Sequence, residues 1–251
     1  MKLPDRRAEK SSATVMGPAA SRTNEILDAL GSQIVRGDHL SGANLPTEQE
    51  LATQFHAGRN AVREAVKILT GRGFVRTERR AGTIVLPESS WNLLDPSVLG
   101  WLLLHPKHRD RAVAELTALR GLLEPEIAAL AATNATTTEI LRVFEAYEQM
   151  EEYAGDRKRA IEADISFHRR LAEASHNALL QTVMRCFEVL LRANFELVMA
   201  IDGRFIRNLV EHKVVAEAVH ARDPRAARAA MGKLLDNNAE DISELLPRGG
   251  A

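Results

Sequence analysis

Two patterns of apolar positions divide the chain. From residue 96 onward, apolar residues recur at helical spacing with few interruptions, whereas residues 23–85 break into shorter pieces of different period. Ile26, Leu27, Leu30, Ile34 and Val35 predict a first helix over 23–36, ended by Gly37-Asp38. Thr47 is placed to cap a second, with Glu50 three residues on completing a capping box and Leu51, Ala52 and Phe55 facing inward. His56-Ala57-Gly58 is a turn. Ala61, Val62, Ala65, Val66 and Leu69 then form the inward stripe of a third helix over 59–72. After Gly73, residues 74–78 alternate as a strand, Arg79-Arg80-Ala81-Gly82 turns, and Thr83-Ile84-Val85 returns. Helix, turn, helix, hairpin is the order of a winged helix-turn-helix, assigned to residues 22–86. Residues 87–95, PESSWNLLD, read as a linker whose Trp91, Leu93 and Leu94 are too apolar for a free tether, so it packs on one domain. Helical segments follow at about 96–104, 110–133, 137–154, 157–175, 178–200, 204–222 and 224–246, with a kink expected at Pro125. The fold expected is mainly α: an N-terminal winged helix-turn-helix and, over 96–247, an antiparallel all-helical bundle.

Charge sharpens this division. Residues 1–86 hold 13 Lys and Arg against 9 Asp and Glu, and the remainder holds 20 against 25, so a near-neutral total hides a basic front half. Arg59, Asn60, Arg63 and Lys67 form the polar face of the third helix, and Arg59, Asn60 and Arg63 occupy the half that enters a major groove in this motif. An arginine fork matches guanine O6 and N7, and an asparagine amide matches adenine N6 and N7. Arg79 and Arg80 at the hairpin tip, with Gly82 and Thr83 behind them, suit phosphate or a narrow minor groove. A charged helix face alone is ordinarily a solvated surface. Combined with the basic hairpin it points to double-stranded DNA.

Cys186, the one cysteine, excludes an intramolecular disulfide and reads as a core thiol. No apolar run approaches about 18 residues, so no membrane partner is expected. Residues 1–21 mix charge with Ser, Ala, Pro and Gly and lack a signal-peptide core; they read as a mobile tail of a cytoplasmic protein.

In the helical half, Asp164 and His168 share one helix face four residues apart, and His212, two helices later, can approach from a facing helix. That places a carboxylate and two imidazoles where one divalent ion could bind. Taken singly, each reads more readily without a metal, Asp164 as a surface acid and His212 as a satisfied histidine beside Glu211. Arg120 and Arg192 lie on apolar helix stretches and need anionic partners. Two kinds stand open. One is internal, Glu124 for Arg120 and Glu188 or Glu196 for Arg192; the other is a ligand carboxylate. Asn177 and Asn194 suit sugar hydroxyls, and Asn177 suits a helix cap equally.

Leu45-Pro46, Glu48, Glu50-Leu51, Arg59, Val62-Arg63-Glu64-Ala65, Leu69, Gly73 and Gly82-Thr83 resemble the GntR superfamily of bacterial regulators. That family usually has arginine between the two glutamates of the helix that follows Thr47. Here Gln49 stands in its place, so the DNA contacts implied for Thr47 and Gln49 are weakened or changed. Arg120, Glu124, Asp164, Phe167-His168, Ser175, Asn177, Glu211-His212 and the stretch from Asp223 to Ala230-Met231 resemble the FCD ligand-binding domain of the FadR-type branch. WNLLDPSVLGWLL at 91–103, followed by RGLLEP, is similar to the repressors of galactonate and related sugar-acid operons. The resemblance implies a metal held by one Asp and three His. Asp164, His168 and His212 match three of these, and Leu234 stands where the third histidine belongs. Asn237 and Asn238, one turn on, or water would fill the position. Zinc is the metal implied, with nickel and manganese as alternatives.

The function implied is a homodimeric repressor of a sugar-acid catabolic operon, released from operator DNA by an aldonate-like organic acid held near Arg120, Arg192, Asn177, Asn194 and Asn238. Two rivals are a regulator sensing another carboxylate or an acyl-CoA, and a helical metal-dependent hydrolase with a DNA-binding appendage. The hydrolase has little support, because no general base adjoins the ligands in a motif such as His-Glu-x-x-His.

Overall fold

Helix α1 (Pro18–Arg36) buries Ile26, Leu27, Leu30, Ile34 and Val35, the stripe its spacing predicts, and Gly37 ends it in the left-handed region at φ 92°. It takes in Pro18–Ser21, residues expected to belong to the tail. The computed structural model describes residues 18–198 and 204–245. They divide between Trp91 and Asn92 into two compact units.

In the first unit, α2 (Glu48–Gln54) starts at a closed capping box. The Thr47 amide donates to Glu50 Oε2 at 2.8 Å, and the Thr47 hydroxyl accepts from the Glu50 amide at 3.3 Å. His56, at φ 47°, makes the turn, and α3 (Arg59–Gly71) buries Val62, Ala65, Val66 and Leu69. Arg22 of α1 braces this turn by donating to the carbonyls of Phe55 and His56. The wing is β1 (Val75–Glu78) paired antiparallel with β2 (Gly82–Val85), Val75 opposite Val85 and Glu78 opposite Gly82. Residues 42–45 add an edge that local pattern did not suggest: the Val85 amide donates to Ala43, and the Leu45 amide to Thr83.

The linker's first half packs on this unit. Trp91 stacks on Phe74 with centroids 4.4 Å apart and planes at 11°. The stack requires Ser90 to pass over Gly73, where a Cβ would lie 2.0 Å from the Ser90 carbonyl oxygen and φ is +76°. Only glycine fits. On the other side of the division, Asp95 caps α4 (Pro96–Leu104) by accepting from the Ser97 and Val98 amides.

The second unit continues with α5 (Pro106–Asn134), α6 (Thr137–Glu152), α7 (Arg157–Ala174), α8 (Ala178–Val198), α9 (Arg204–His220) and α10 (Pro224–Leu245). At 29 residues, about 44 Å, α5 is the spine and packs against α4, α7, α8, α9 and α10. It begins at Pro106, earlier than expected, because proline is well suited to a helix's first turn. It also runs unbroken through Pro125. Fully buried Ala128, Ala131 and Ala132 let its neighbours come close, and Phe167, Phe187, Met150 and Met231 fill the core around them. Cys186, expected in the core, is only partly buried. No helix among the described residues is long and apolar enough to cross a membrane.

Candidate metal centre and nucleic-acid face

A seam of buried polar side chains crosses the apolar bundle. Asp164 and His168 come from α7, His212 from α9, and Arg120 and Glu124 from α5; none is more than 5% exposed. Such groups persist in a core only when they satisfy one another. His212 Nε2 lies 3.3 Å from Asp164 Oδ1 and 3.3 Å from His168 Nε2, which is 4.0 Å from Asp164 Oδ1. Ligand atoms 2.0–2.2 Å from a tetrahedral zinc ion sit about 3.3–3.5 Å from one another. Two of the three separations have that value.

The other ring nitrogens say which atoms face inward. His212 Nδ1 donates to the Asn208 carbonyl at 2.7 Å, one helical turn back. His168 Nδ1 lies 2.7 Å from Glu124 Oε2, with the N–H angled off the direct line to that oxygen. With Nδ1 protonated in both rings, both Nε2 lone pairs and a carboxylate oxygen converge on one point. Three acceptors so close need a cation or a proton between them. The Phe167 ring stands edge-on to both imidazoles, at 4.9 Å from His212 and 5.7 Å from His168, and limits their rotation.

Both carboxylates are held ionised. Burial pushes Glu124 up, but the charges of Arg120 and His168 and their hydrogen bonds outweigh it and bring the group down to about 2. For Asp164 burial acts upward too, and the His212 hydrogen bond with the His168, His212 and Arg120 charges brings it below its ordinary value. The donor set, two imidazole nitrogens and an ionised carboxylate in a dry pocket, suits zinc, nickel or manganese.

Arg120 uses its fork on Glu124, Nη2 reaching Oε2 at 3.3 Å and Nε closing a shorter bond to Oε1. Of the two partners open to it, the structure shows the internal one. Arg192 is a correction: it is not brought to the seam at all. It is exposed on α8 and pairs with Glu162 of α7 at 2.6 Å; the Glu196 side chain lies outside the described residues. Glu188 is engaged by Arg169 at 2.8 Å. Asn177 is exposed and caps α8, accepting from the Leu179 and Leu180 amides. The Asn194 side chain lies outside the described residues. Asn238 Oδ1 accepts from Asn208 Nδ2 at 3.2 Å, one turn before His212, and Asn237 donates to Glu211 beside it, so both tie α10 to α9. Leu234 is fully buried in the apolar core. Glu124, which the sequence offered as Arg120's partner and among the residues resembling the FCD domain but not as part of the metal cluster, lies against His168 as well.

In the first unit, Arg59, Asn60, Arg63 and Lys67 all lie on the exposed face of α3, and Arg79 and Arg80 are exposed at the hairpin tip. Arg63 pairs with Glu48 of α2 at 3.0 Å and Lys67 with Glu64 at 2.8 Å. The Thr47 hydroxyl is engaged in its capping box. Gln49 is exposed, Gly82 takes φ 87°, and Thr83 is partly buried with its carbonyl accepting from Leu45.

Residues 22–85 match the gntR family of bacterial regulatory proteins and residues 115–237 match the FCD domain. The galactonate operon transcriptional repressor of Escherichia coli K12 is 32% identical over 90% of this chain and 98% of its own length. The Uxu operon transcriptional regulator of the same organism is 32% identical over 84% of this chain and 82% of its own. The solved structure of Lar, which controls expression of the Listeria monocytogenes agr system, is similar in fold, with a TM-score of 0.62 at 14% identity over 89% of this chain and 97% of that one. A helix-turn-helix with an exposed basic face and a helical unit around a buried Asp-His-His cluster thus coincide with two family matches and with relatives similar over most of their length: the chain belongs to the gntR family of DNA-binding transcriptional regulators, carries an FCD domain, and is not an enzyme.

Proposed function

We propose that this regulator is a cytoplasmic homodimeric repressor of a sugar-acid catabolic operon, and that an aldonate-like acid binding in the helical unit releases it from operator DNA. The observation that carries the reading is the buried convergence of Asp164 Oδ1, His168 Nε2 and His212 Nε2 in a chain whose other unit exposes Arg59, Asn60 and Arg63 on one helix face. The name of the galactonate operon repressor, similar over nearly its whole length, supplies the acid's class. Two-fold pairing would set two α3 helices on the half-sites of a near-palindrome.

Asp164, His168 and His212 would hold a divalent ion, zinc first. Bound there, such an ion is a Lewis acid with positions left for a carboxylate or hydroxyl oxygen, since Leu234 offers no ligand. The protein's own groups do the rest. Asn208 and Glu124 turn the imidazoles, Phe167 limits them, and the apolar core around the seam keeps water from competing. Release of DNA follows only if the acid binds more tightly to a domain arrangement that fits the operator poorly. The joint at Trp91–Asp95 is suited to that change, because Trp91 is anchored on Phe74 of the first unit and Asp95 caps a helix of the second.

Electrophoretic shift of DNA from upstream of the chain's own gene, with and without galactonate, gluconate and related aldonates, tests this. A shifted complex that an aldonate dissolves is the expected result. A complex indifferent to every sugar acid rejects the effector, and no complex at all rejects operator binding by this DNA.

A further inference from the structure

We propose that Glu124, held by Arg120, is a positioning residue for the metal site: it fixes the tautomer and orientation of His168 so that Nε2 faces Asp164 and His212. This rests on the metal-binding reading and extends the site from two helices to three. Two turns of α5 around Arg120 and Glu124 cross α7 where His168 is buried, and the three residues are each at most 3% exposed.

An isolated neutral imidazole carries its hydrogen on either nitrogen, and only the form with Nδ1–H leaves Nε2 free to ligate. Glu124 Oε2, 2.7 Å from Nδ1, stabilises that form. The carboxylate needs a counter-charge in turn, because an unpaired anion in this core is costly. Arg120 supplies it with two nitrogens on the two Glu124 oxygens, one helical turn apart on α5. The ion pair therefore points its charge at one ring nitrogen of His168. His212 reaches the same outcome more simply, through the Asn208 carbonyl.

The test uses full-length protein and three substitution sets. Glu124→Gln keeps an acceptor oxygen but strands the Arg120 charge. The double variant Arg120→Leu with Glu124→Leu removes the pair without leaving a buried charge, a replacement cores often tolerate. Arg120→Leu with Glu124→Gln restores the acceptor alone. Zn2+ affinity is read by competition with a chromogenic chelator, folding by thermal melts, and the His168 tautomer in metal-free protein by imidazole 15N shifts.

The double-leucine protein should fold, lose about 10–100-fold in Zn2+ affinity, and shift His168 away from the Nδ1–H form. The variant with Gln in the leucine background should regain part of both. A folded double-leucine protein with parental affinity and tautomer overturns the positioning role while leaving the metal site standing. Parental protein that takes up no Zn2+, Ni2+ or Mn2+ overturns both.

Discussion

His168 Nε2 and His212 Nε2 lie 3.3 Å apart in the core of the helical unit, although 44 residues separate them in the chain. Each ring's Nδ1 lies 2.7 Å from an acceptor outside the cluster, the Glu124 carboxylate for His168 and the Asn208 carbonyl for His212. A third acceptor, Asp164 Oδ1, closes the triangle. Cores do not gather acceptors around one point without a cation or proton there, so the pair marks the candidate metal site of the helical unit.

At the reading end, Arg63→Ala should weaken operator binding by about 1–3 kcal/mol, roughly 5–150-fold, and relax sequence preference at one position in each half-site. The fold should be unaffected, because the Arg63–Glu48 pair is exposed and such pairs contribute about 0.2–1 kcal/mol. Anisotropy titrations with thermal melts check both. Operator affinity equal to the parent's would show that α3 does not face the bases.

The wing's junction with the linker gives a second test. Gly73→Ala puts a methyl group against the Ser90 carbonyl at a positive φ, two faults at one residue. A loss of about 2 kcal/mol or more in the first unit's stability is expected, together with loss of Trp91 burial against Phe74. Urea unfolding followed by tryptophan fluorescence measures it. Parental stability would mean that the linker does not cross Gly73 as described.

Glu139 ties the start of α6 to the end of α7. Its carboxylate accepts from the Thr136 amide at 2.8 Å and from His176 at 3.0 Å, and these partners outweigh its burial to hold it down at about 2, against an ordinary 4.5. Because the folded value is depressed, the stabilisation is complete above about pH 4.5 and is lost as pH falls through the folded value near 2. Glu139→Gln should therefore cost about 1 kcal/mol at pH 7 and little near pH 2. A deficit that stays constant with pH would contradict the assigned role.

Local features made the first unit legible. Thr47 and Glu50 signal their capping box across three residues, α3 shows its buried stripe within thirteen, and Gly73 marks the turn into the wing. The edge supplied by residues 42–45 was not, because that stretch contains no strand pattern and pairs with β2 some forty residues on. In the second unit the helices were visible from periodicity, and Asp164 with His168 from a four-residue spacing. Partners between helices were not. Arg192 was offered glutamates on its own helix or a ligand carboxylate, and Glu162 of α7, which binds it, was not foreseen, since tertiary packing decides which nearby carboxylates an exposed arginine meets. Glu124 was visible as a neighbour of Arg120 and invisible as a neighbour of His168, because no local pattern reports how α5 and α7 cross.

The most direct measurement is the metal content of full-length protein purified without chelators, by elemental analysis, beside Asp164→Ala and His212→Ala proteins shown by thermal melts to be folded. About one divalent ion per chain in the parent, lost in both variants, is the result expected if the triangle is the sensor's centre. A parent that stays metal-free after exposure to zinc, nickel and manganese, or variants that keep the ion, would contradict it.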